Sequence, residues 1–261
     1  MSKEITVGFI GNPNCGKTTL FNAYTGANLK VANWPGVTVE RMEGAIQDHD
    51  MTIHLVDLPG TYSLTSYTME EQVSRQFILS DQVDVIIDVV DASSLERSLY
   101  LTLQLLELNK PMVLALNMMD IVAKRGMDID LHRLSEILGV PVIPVTARKK
   151  RGIQALMHAA CHQQEGQNTQ VNHRPQSIHG EQVKRYAMEY DADLERKISL
   201  IQERLVRQDP HIINPRWIAI KLLENDQEIQ KKYAIDLSDI VDHEEDTEII
   251  NQKYDYIQAI I

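Results

Sequence analysis

Eight residues near the start of the chain have the types and spacing of a phosphate-binding loop. Residues 11–18 read Gly-Asn-Pro-Asn-Cys-Gly-Lys-Thr and match the pattern G-x-x-x-x-G-K-[ST]. In such a loop, backbone N–H groups surround the phosphates at the start of a helix, the lysine reaches the terminal phosphates and the last hydroxyl binds Mg²⁺. Lys17 is therefore predicted as a catalytic residue and Thr18 as a Mg²⁺ ligand. The residues assigned to phosphate binding are Gly11, Asn12, Pro13, Asn14, Cys15, Gly16, Lys17, Thr18 and Thr19.

A second segment, Asp57-Leu58-Pro59-Gly60, has the pattern D-x-x-G and follows the apolar run Met51–Val56, which predicts a strand. A carboxylate at the end of a buried strand can hold Mg²⁺ through water, and a glycine N–H can approach the terminal phosphate. Asp57 is therefore predicted as a Mg²⁺ ligand and Gly60 as a catalytic residue, with Leu58 and Pro59 completing the segment. Residues 61–68 are predicted to form a mobile loop before a helix over Met69–Leu79.

The connection between Gly26 and Gly44 shows no clear periodicity, and we predict a long loop there. Loops of this length in a compact domain usually carry function. The connection follows a phosphate-binding loop and its helix. In such proteins this position holds a segment that becomes ordered around Mg²⁺ and the terminal phosphate. Thr38 is its candidate Mg²⁺ ligand and catalytic residue, with Gly36 and Val37 beside it. A surface threonine without function is the alternative.

Two later segments favour guanine as the base. The strand predicted over Pro111–Leu116 leads into Asn117-Met118-Met119-Asp120, which has the pattern N-x-x-D. The Asp120 carboxylate can accept two hydrogen bonds from N1–H and the exocyclic amine of guanine, an arrangement that adenine does not offer. Thr146-Ala147-Arg148 follows the strand predicted over Val140–Val145 and is expected to contact the base through backbone N–H groups. Together these segments predict GTP and GDP as ligands.

The order of the elements predicts the fold class. Predicted strands and helices alternate through residues 1–165, which indicates an α/β P-loop domain with a mostly parallel six-stranded sheet flanked by helices. Residues 166–178 are polar and aperiodic and are predicted to form a linker. Residues 179–261 show only helical spacing, so we predict a smaller all-α domain whose first helix spans about 181–206. The last helical pattern runs to Ile261 without a capping residue, and we expect more protein to follow it.

Composition limits the function further. The chain has 261 residues, of which 43% are hydrophobic and 24% charged, and its formal net charge is −11. This acidity argues against nucleic acid as a partner. A soluble GTPase that assembles RNA or ribosomes nevertheless stays as one alternative, and a GTP sensor without useful turnover as another. Cys15 and Cys161 are too few for a disulfide framework and indicate a reducing compartment. No apolar run is long enough to cross a bilayer.

One further cluster has residue types that bind transition metals. His158, Cys161 and His162 lie on the helix predicted over Ile153–His162. A histidine pair at i, i+4 with a thiol nearby can bind such an ion. No carboxylate or further ligand is spaced to complete a tetrahedral site on that helix. We therefore favour a helix surface without a structural metal ion.

The chain resembles the N-terminal cytosolic part of FeoB proteins, the bacterial ferrous iron transporters, over essentially its whole length. The resemblance is carried by residues 11–19, 33–41 (Asn-Trp-Pro-Gly-Val-Thr-Val-Glu-Arg), 57–63 (Asp-Leu-Pro-Gly-Thr-Tyr-Ser), 89–93 with 95–97, and 115–120. It implies a Ras-like G domain, a helical domain that regulates GDP affinity, and a membrane permease that follows them. The implied function is a GTPase that gates iron uptake at the cytoplasmic face of the bacterial inner membrane. Implied partners are that permease and small accessory proteins of the same transport system, with a second copy of the chain as a further candidate.

The resemblance also implies an alkali-metal ion. In that family an asparagine at the position of Asn14 helps to hold K⁺ beside the phosphates, which makes Asn14 a candidate K⁺ ligand and catalytic residue. Thr61 follows Gly60 and is not a glutamine that could orient the attacking water. Intrinsic hydrolysis is therefore expected to be slow and stimulated by K⁺.

The chain departs from the family pattern at three positions. Cys15 and Thr146 replace usual serines, and both changes are expected to be mild because backbone groups do most of the binding there. Ala32 replaces a usual glycine. If that glycine has a positive φ, alanine strains the loop that holds K⁺ by about 1 kcal/mol.

Overall fold

The computed structural model describes residues 3–26, 29–48, 51–65, 68–170, 188–241 and 244–261, with the backbone alone over 165–170. The strands are β1 (Lys3–Gly11), β2 (Leu29–Asn33), β3 (Glu40–Asp48), β4 (Met51–Asp57), β5 (Val85–Asp91), β6 (Met112–Asn117) and β7 (Val142–Pro144). The first six helices are α1 (Lys17–Thr25), α2 (Met69–Leu79), α3 (Leu95–Leu106), α4 (Met119–Lys124), α5 (Leu131–Leu138) and α6 (Ile153–Gln170). Four more follow, α7 (Ala192–Gln208), α8 (Pro215–Leu223), α9 (Gln227–Lys232) and α10 (Glu245–Ile260).

The strands form one seven-stranded sheet in the order β2-β3-β4-β1-β5-β6-β7. β1 pairs in parallel with β4 and β5, β5 with β6, and β6 with β7. The pairs β2–β3 and β3–β4 are antiparallel. The carboxyl ends of β1, β4, β6 and β7 therefore lie along one edge, where open α/β sheets bind ligands. This arrangement confirms an α/β class with a mostly parallel sheet, and the described residues from α7 onward are helices and their connections.

The sheet has seven strands and not the six predicted, and the difference lies between Gly26 and Gly44. β2 and β3 form a hairpin there, with Leu29 opposite Gly44 and Asn33 opposite Glu40. β2 is a mostly exposed edge strand, and no residue of β3 is fully buried. Without a buried face, neither strand carries the alternation of apolar and polar residues that identifies a strand in a sequence. The prediction of a long loop across this segment is therefore wrong. Residues 34–39 connect the two strands.

Capping residues mark the start of two helices, of which α2 has the bounds that the sequence predicts. α2 begins with a capping box, in which the side chains of Thr68 and Glu71 each accept a hydrogen bond from the other residue's backbone N–H. At the start of α5, Asp130 accepts a hydrogen bond from the N–H of Arg133. Gly139 ends that helix with a φ of 70°, a left-handed conformation that favours glycine.

The helices beside the predicted linker differ from the prediction. α6 continues to Gln170, through the start of the linker predicted over 166–178, whose remainder lies outside the described residues. α7 begins at Ala192 and not near residue 181, because Asp191 accepts hydrogen bonds from the N–H groups of Asp193 and Leu194. Residues 181–187 lie outside the described part of the chain. The division into two domains at 165 and 179 stays a prediction.

Helices cover both faces of the sheet. On one face α1 and α6 pack over a cluster that includes Phe9 and Leu156. On the other face α2 and α3 cover a cluster that includes Phe77 and Leu101 and continues into the C-terminal helices through Trp217. Trp217 is 3% exposed and anchors this cluster among the C-terminal helices. Among the described residues, each helix is too short or too polar to span a membrane.

Buried charges join the C-terminal helices to α3. Glu107, directly after α3, accepts a hydrogen bond from the Tyr190 hydroxyl at 2.6 Å and lies 3.2 Å from Lys253 Nζ. Lys253 also donates to Glu224 at 2.8 Å, and Lys221 donates to the same carboxylate. Both lysine side chains are 0% exposed. Burial alone would raise the pKa of Glu224, but the ammonium groups of Lys221 and Lys253 lower it to about 2, so this carboxylate stays ionised at neutral pH.

A second polar contact joins α2 to the C-terminal helices. Arg75 on α2 is 1% exposed, and its Nη1 donates to the Asp226 carboxylate at 2.6 Å. Its guanidinium carbon lies 5.3 Å from the ring centre of Trp217, within the range of a cation–π interaction. α2 follows the segment that begins at Asp57, and Arg75 connects α2 to the C-terminal helices. A movement of that segment would therefore reach these helices through α2.

Asp88, in the middle of β5, is a buried carboxyl group with one hydrogen-bonded oxygen. Thr102 Oγ1 donates to Oδ2 at 2.6 Å, whereas Oδ1 is buried without a partner among the described residues. Burial raises the pKa of Asp88 from 3.8 to about 7, although the hydrogen bond from Thr102 opposes this shift. The folded chain therefore binds this proton more tightly than the unfolded chain. The stabilisation of the fold by this bound proton is fully present below about pH 4 and is lost as the pH rises through about 7.

We expect Asp88→Asn, which is neutral at every pH, to raise the midpoint of thermal unfolding by several degrees near pH 8. The rise should be smaller near pH 5, where the parent side chain is still largely protonated in the folded state. Thermal unfolding followed by circular dichroism at both pH values checks this, with the exposed Asp81→Asn as the control. An equal rise at both pH values would mean that the amide packs better and that titration of Asp88 has no part in the change.

Candidate nucleotide-binding site

The predicted segments meet at the carboxyl edge of the sheet, around a cavity of about 760 Å³. The cavity is lined by the phosphate-binding loop, Gly60 and the segments predicted to hold the base. Its residues are Asn12, Pro13, Asn14, Gly16, Lys17, Thr18, Thr19, Gly60, Asn117, Met118, Asp120, Ile121, Lys124, Thr146, Ala147 and Arg148. Eight predicted residues do not line it, namely Gly11, Cys15, Gly36, Val37, Thr38, Asp57, Leu58 and Pro59.

Two glycines hold the phosphate-binding loop close to its neighbours. Gly16 precedes α1 with a φ of 89°, and Asn14 has a φ of 67°. A Cβ on Gly16 would lie 2.3 Å from Asn117 Nδ2, and a Cβ on Gly11 would lie 2.3 Å from the carbonyl oxygen of Val89. Neither contact is tolerable, so only glycine fits at these two positions. The loop can therefore pack directly on β5 and on the end of β6.

Lys17, Thr18 and Asp57 form one hydrogen-bonded group beside the cavity. Lys17 is 7% exposed, and its Nζ donates to Asp57 Oδ1. Thr18 Oγ1 donates to Asp57 Oδ2 at 3.2 Å. Burial raises the pKa of Asp57, and the neighbouring Lys17 ammonium partly offsets that rise. A hydroxyl and a carboxylate so close together are the oxygen ligands that Mg²⁺ takes, usually with phosphate oxygens and water.

The described residues contain no group of three histidine, cysteine or acidic side chains that could hold a metal ion by themselves. A Mg²⁺ site of the kind found with nucleotides needs fewer protein ligands than that, because phosphate oxygens and water supply the others. The donor set formed by Thr18 and Asp57 therefore fits Mg²⁺ together with a nucleotide.

Asn117 ties the phosphate-binding loop to the segment 146–148. The side chain is buried; Nδ2 donates to the carbonyl oxygen of Cys15 at 2.9 Å, and Oδ1 accepts from the N–H of Ala147 at 3.0 Å. In this structure the Ala147 N–H is thus used to position the loop, whereas the sequence predicts it as a contact to the base. Met118, with a φ of 63°, turns the chain from β6 into α4.

Asp120 stands at the start of α4 with its side chain 28% exposed, and Lys149 Nζ lies 3.5 Å from its carboxylate. The sequence analysis did not single out Ile121 and Lys124, which line the cavity together with Asp120. A signal for Lys124 existed, because a lysine four residues after Asp120 lies on the same face of a helix.

The segment after Asp57 lies directly on the phosphate-binding loop. A Cβ on Gly60 would lie 3.3 Å from the Cα of Pro13, and the N–H of Thr61 donates to the carbonyl oxygen of Gly11 at 3.1 Å. Thr61 is 2% exposed, and its hydroxyl donates to the carbonyl oxygen of Ser63 at 2.5 Å. Its hydroxyl is therefore already bonded and does not face the cavity as a water-positioning group.

The segment 34–39 is held away from the cavity by Trp34. The indole is 7% exposed, packs edge-on to Phe77 of α2 at 5.3 Å between ring centres, and has the guanidinium of Arg41 4.5 Å from its own ring centre. Thr38 is exposed on the same segment. The structure thus does not bring Thr38 to Lys17, and a role in Mg²⁺ binding requires the segment to move.

Two of the departures from the family pattern have clear structural settings. Ala32 lies in β2 opposite Arg41, and it is not among the described residues with positive φ. The strain expected at this alanine is therefore absent here. Burial raises the pKa of the Cys15 thiol to about 12, so this side chain is a small packing group and not a reactive one.

Two family models match the chain. The model described as ferrous iron transport protein B covers residues 5–160, which is more than half of the chain. The chain belongs to this family. A second model, described as the FeoB cytosolic helical domain, covers residues 190–261.

The curated relatives include proteins named Fe(2+) transporter FeoB. The Fe(2+) transporter FeoB of Salmonella typhimurium is 44% identical over 228 residues, which make up 86% of this chain and 27% of that protein. The Fe(2+) transporter FeoB of Escherichia coli K12 is also 44% identical over 228 residues, with the same coverage. The chain therefore spans about a quarter of the length of these FeoB relatives.

Solved FeoB structures share the whole fold. A mutant of S. thermophilus NFeoB bound to mGDP is 37% identical, with a TM-score of 0.83 and coverage of 99% of this chain and 98% of that one. The cytosolic domain of L. pneumophila FeoB is 36% identical, with a TM-score of 0.82 and coverage of 98% and 97%. The cytosolic domain of T. maritima FeoB in a GDP form is 32% identical, with a TM-score of 0.85 and coverage of 100% and 97%.

Proposed function

We propose that this chain is the GTP-binding and GTP-hydrolysing cytosolic part of a ferrous iron transport protein, where it acts as a nucleotide switch that gates iron uptake. The observation that carries the proposal is the convergence of the phosphate-binding loop, Gly60, Asn117 and Asp120 on one cavity in a FeoB-family chain. FeoB neighbours from S. thermophilus and T. maritima bind guanine nucleotides, which supports GTP and GDP as the ligands. A membrane permease, accessory proteins and a second copy of the chain are the proposed partners.

Each group at the cavity has a role in this function. The phosphate-binding loop orients the phosphates, and Lys17 places its ammonium beside the terminal ones, where negative charge develops during hydrolysis. Asp120 selects guanine through two hydrogen bonds. Asn117 holds the loop and the segment 146–148 in register, so that the phosphate and base ends of the site keep a fixed separation.

Thr18 and Asp57 are the proposed Mg²⁺ ligands, and Thr38 is proposed to join them when the segment 34–39 moves. Mg²⁺ supplies positive charge to the phosphate oxygens when it is bound. Lys17 and Asp57 are paired in this structure, so the lysine must turn toward the phosphates as the carboxylate takes up the ion. Thr61 offers no free hydroxyl for the attacking water, which supports slow intrinsic turnover.

The two alternatives are weaker. An RNA-assembly GTPase needs basic surface for phosphate contacts, whereas this chain has a net charge of −11. A sensor without turnover shares the binding site and differs only in catalysis. Phosphate release under multiple turnover separates the readings. Phosphate release with GTP and not with ATP supports the proposal. Tight GTP binding without phosphate release would instead support the function as a GTP sensor.

We expect K⁺ to accelerate hydrolysis through Asn14, which lines the cavity beside the loop. A cation there supplies charge that other G proteins obtain from an arginine, so phosphate release should be about tenfold or more faster in KCl than in NaCl. Asn14→Ala should abolish that difference. The exposed Asn22→Ala on α1 should keep it. Equal rates in the two salts for the parent chain would contradict the assignment of Asn14.

A further inference from the structure

Two histidines on α6 face each other outside the nucleotide cavity. His158 and His162 are one helical turn apart and both exposed. Their Nε2 atoms are 3.2 Å apart, and their ring centres are 4.4 Å apart with 74° between the ring planes. Because the nitrogens are closer than the ring centres, the two rings converge on their Nε2 edges.

This separation suits a single ion bound by both rings. Imidazole nitrogens bind Zn²⁺ at about 2.0–2.1 Å, so two of them at an angle between 90° and tetrahedral lie about 2.8–3.4 Å apart. The observed 3.2 Å falls inside that interval. The same distance also fits a hydrogen bond between two neutral rings, one donating Nε2–H to the other. Addition of a metal ion distinguishes the two arrangements, because only the first one binds it through both rings.

The helix holds the pair in place. Leu156 and Ala160 are 0% exposed, and Met157 is 5% exposed, so α6 is anchored on both sides of His158. Cys161 packs against the same apolar cluster and is not a third ligand. The described residues offer two histidine ligands here, which is fewer than a structural tetrahedral site needs, so the ion would be exchangeable and not structural.

We propose that His158 and His162 together bind one divalent late transition-metal ion. Imidazole ligands favour Zn²⁺, Cu²⁺ and Ni²⁺, and Fe²⁺ binds the same ligands more weakly. Mg²⁺ prefers oxygen and does not compete. This site does not depend on the proposed nucleotide function, because neither histidine lines the nucleotide cavity.

The test is a calorimetric titration of the 261-residue chain with Zn²⁺ in excess Mg²⁺. Loss of a group that only orients a metal ligand costs about 10–100-fold in affinity, so loss of the ligand itself should cost at least about tenfold. H158A and H162A should each weaken one Zn²⁺ binding event by at least that factor. H132A removes another exposed histidine, paired at i, i+4 with Glu136, and should leave that event unchanged.

Other histidines of the chain can add weaker Zn²⁺ binding events. Comparison of H158A and H162A with the parent identifies the binding event that belongs to this pair. Circular dichroism of H158A and H162A checks that α6 stays folded. Zn²⁺ binding that is the same in the parent and in both variants would overturn the proposal. The contact between the rings would then be a hydrogen bond. A loss in only one variant would also overturn it, because a two-ligand site requires both.

Discussion

Asp120→Asn should weaken GTP binding by about 100-fold or more, because two hydrogen bonds to a charged acceptor are lost and each is worth about 1.5–3 kcal/mol. The same variant should bind xanthine nucleotide better than the parent does, since an amide can donate to the added carbonyl of that base. Competition between GTP and xanthosine triphosphate for a fluorescent nucleotide measures both changes. Asp120 is partly exposed and contacts Lys149 at 3.5 Å, so the fold should tolerate the amide.

Asp128→Asn is the matched control for this change, because Asp128 is an exposed aspartate in the loop after α4 and does not line the cavity. It should bind both nucleotides as the parent does. If Asp120→Asn binds GTP as tightly as the parent, Asp120 is not the guanine-selecting residue. The base would then have to be selected elsewhere in the site.

Thr38→Ala should slow GTP hydrolysis by about 100-fold while GDP affinity stays nearly unchanged. The reason is that Thr38 is proposed to act only with the terminal phosphate and Mg²⁺, and loss of one group that stabilises the transition state costs about 10²–10³-fold. Single-turnover phosphate release gives the rate, and GDP titration gives the affinity. Thr38 is exposed in this structure, so its removal leaves no buried cavity.

Thr52→Ala provides the comparison, since Thr52 lies at the opposite end of β4 from Asp57. It should leave both the rate and the affinity as they are. An equal loss of GTP and GDP binding in Thr38→Ala would indicate a folding defect, and an unchanged rate would remove Thr38 from the mechanism.

The predicted site residues that the structure brings together at the cavity are mostly those whose residue type has one structural use. Gly11 is fixed by the close approach of the Val89 backbone, and Gly16 by its positive φ and by the Asn117 side chain. Asp120 is placed by the buried strand that ends three residues before it. Apolar runs mark β1, β4 and β6 because most residues of these strands are buried. Each of those strands ends in a residue of the candidate site.

What the sequence did not predict depends on contacts between distant residues. The exposed strands β2 and β3 exist because β4 offers them a partner edge, and their own residues carry no apolar pattern. Trp34 draws the segment 34–39 onto Phe77, a contact that no local motif indicates. The bond from Asn117 to Ala147 joins two segments that are far apart in the chain. Such contacts follow from the assembled sheet and cannot be read from one window of sequence.

The buried charges around Lys253 restrict how the C-terminal helices can move on α3. Lys253 bridges Glu107, directly after α3, and Glu224, directly after α8, and a slide of one helical turn would separate it from Glu107. Leaving one buried charge unpaired costs about 3–5 kcal/mol, whereas full separation returns the charges to water. Gradual shear between the two regions is therefore disfavoured. We therefore expect these helices either to keep this one register on α3 or to separate from it completely.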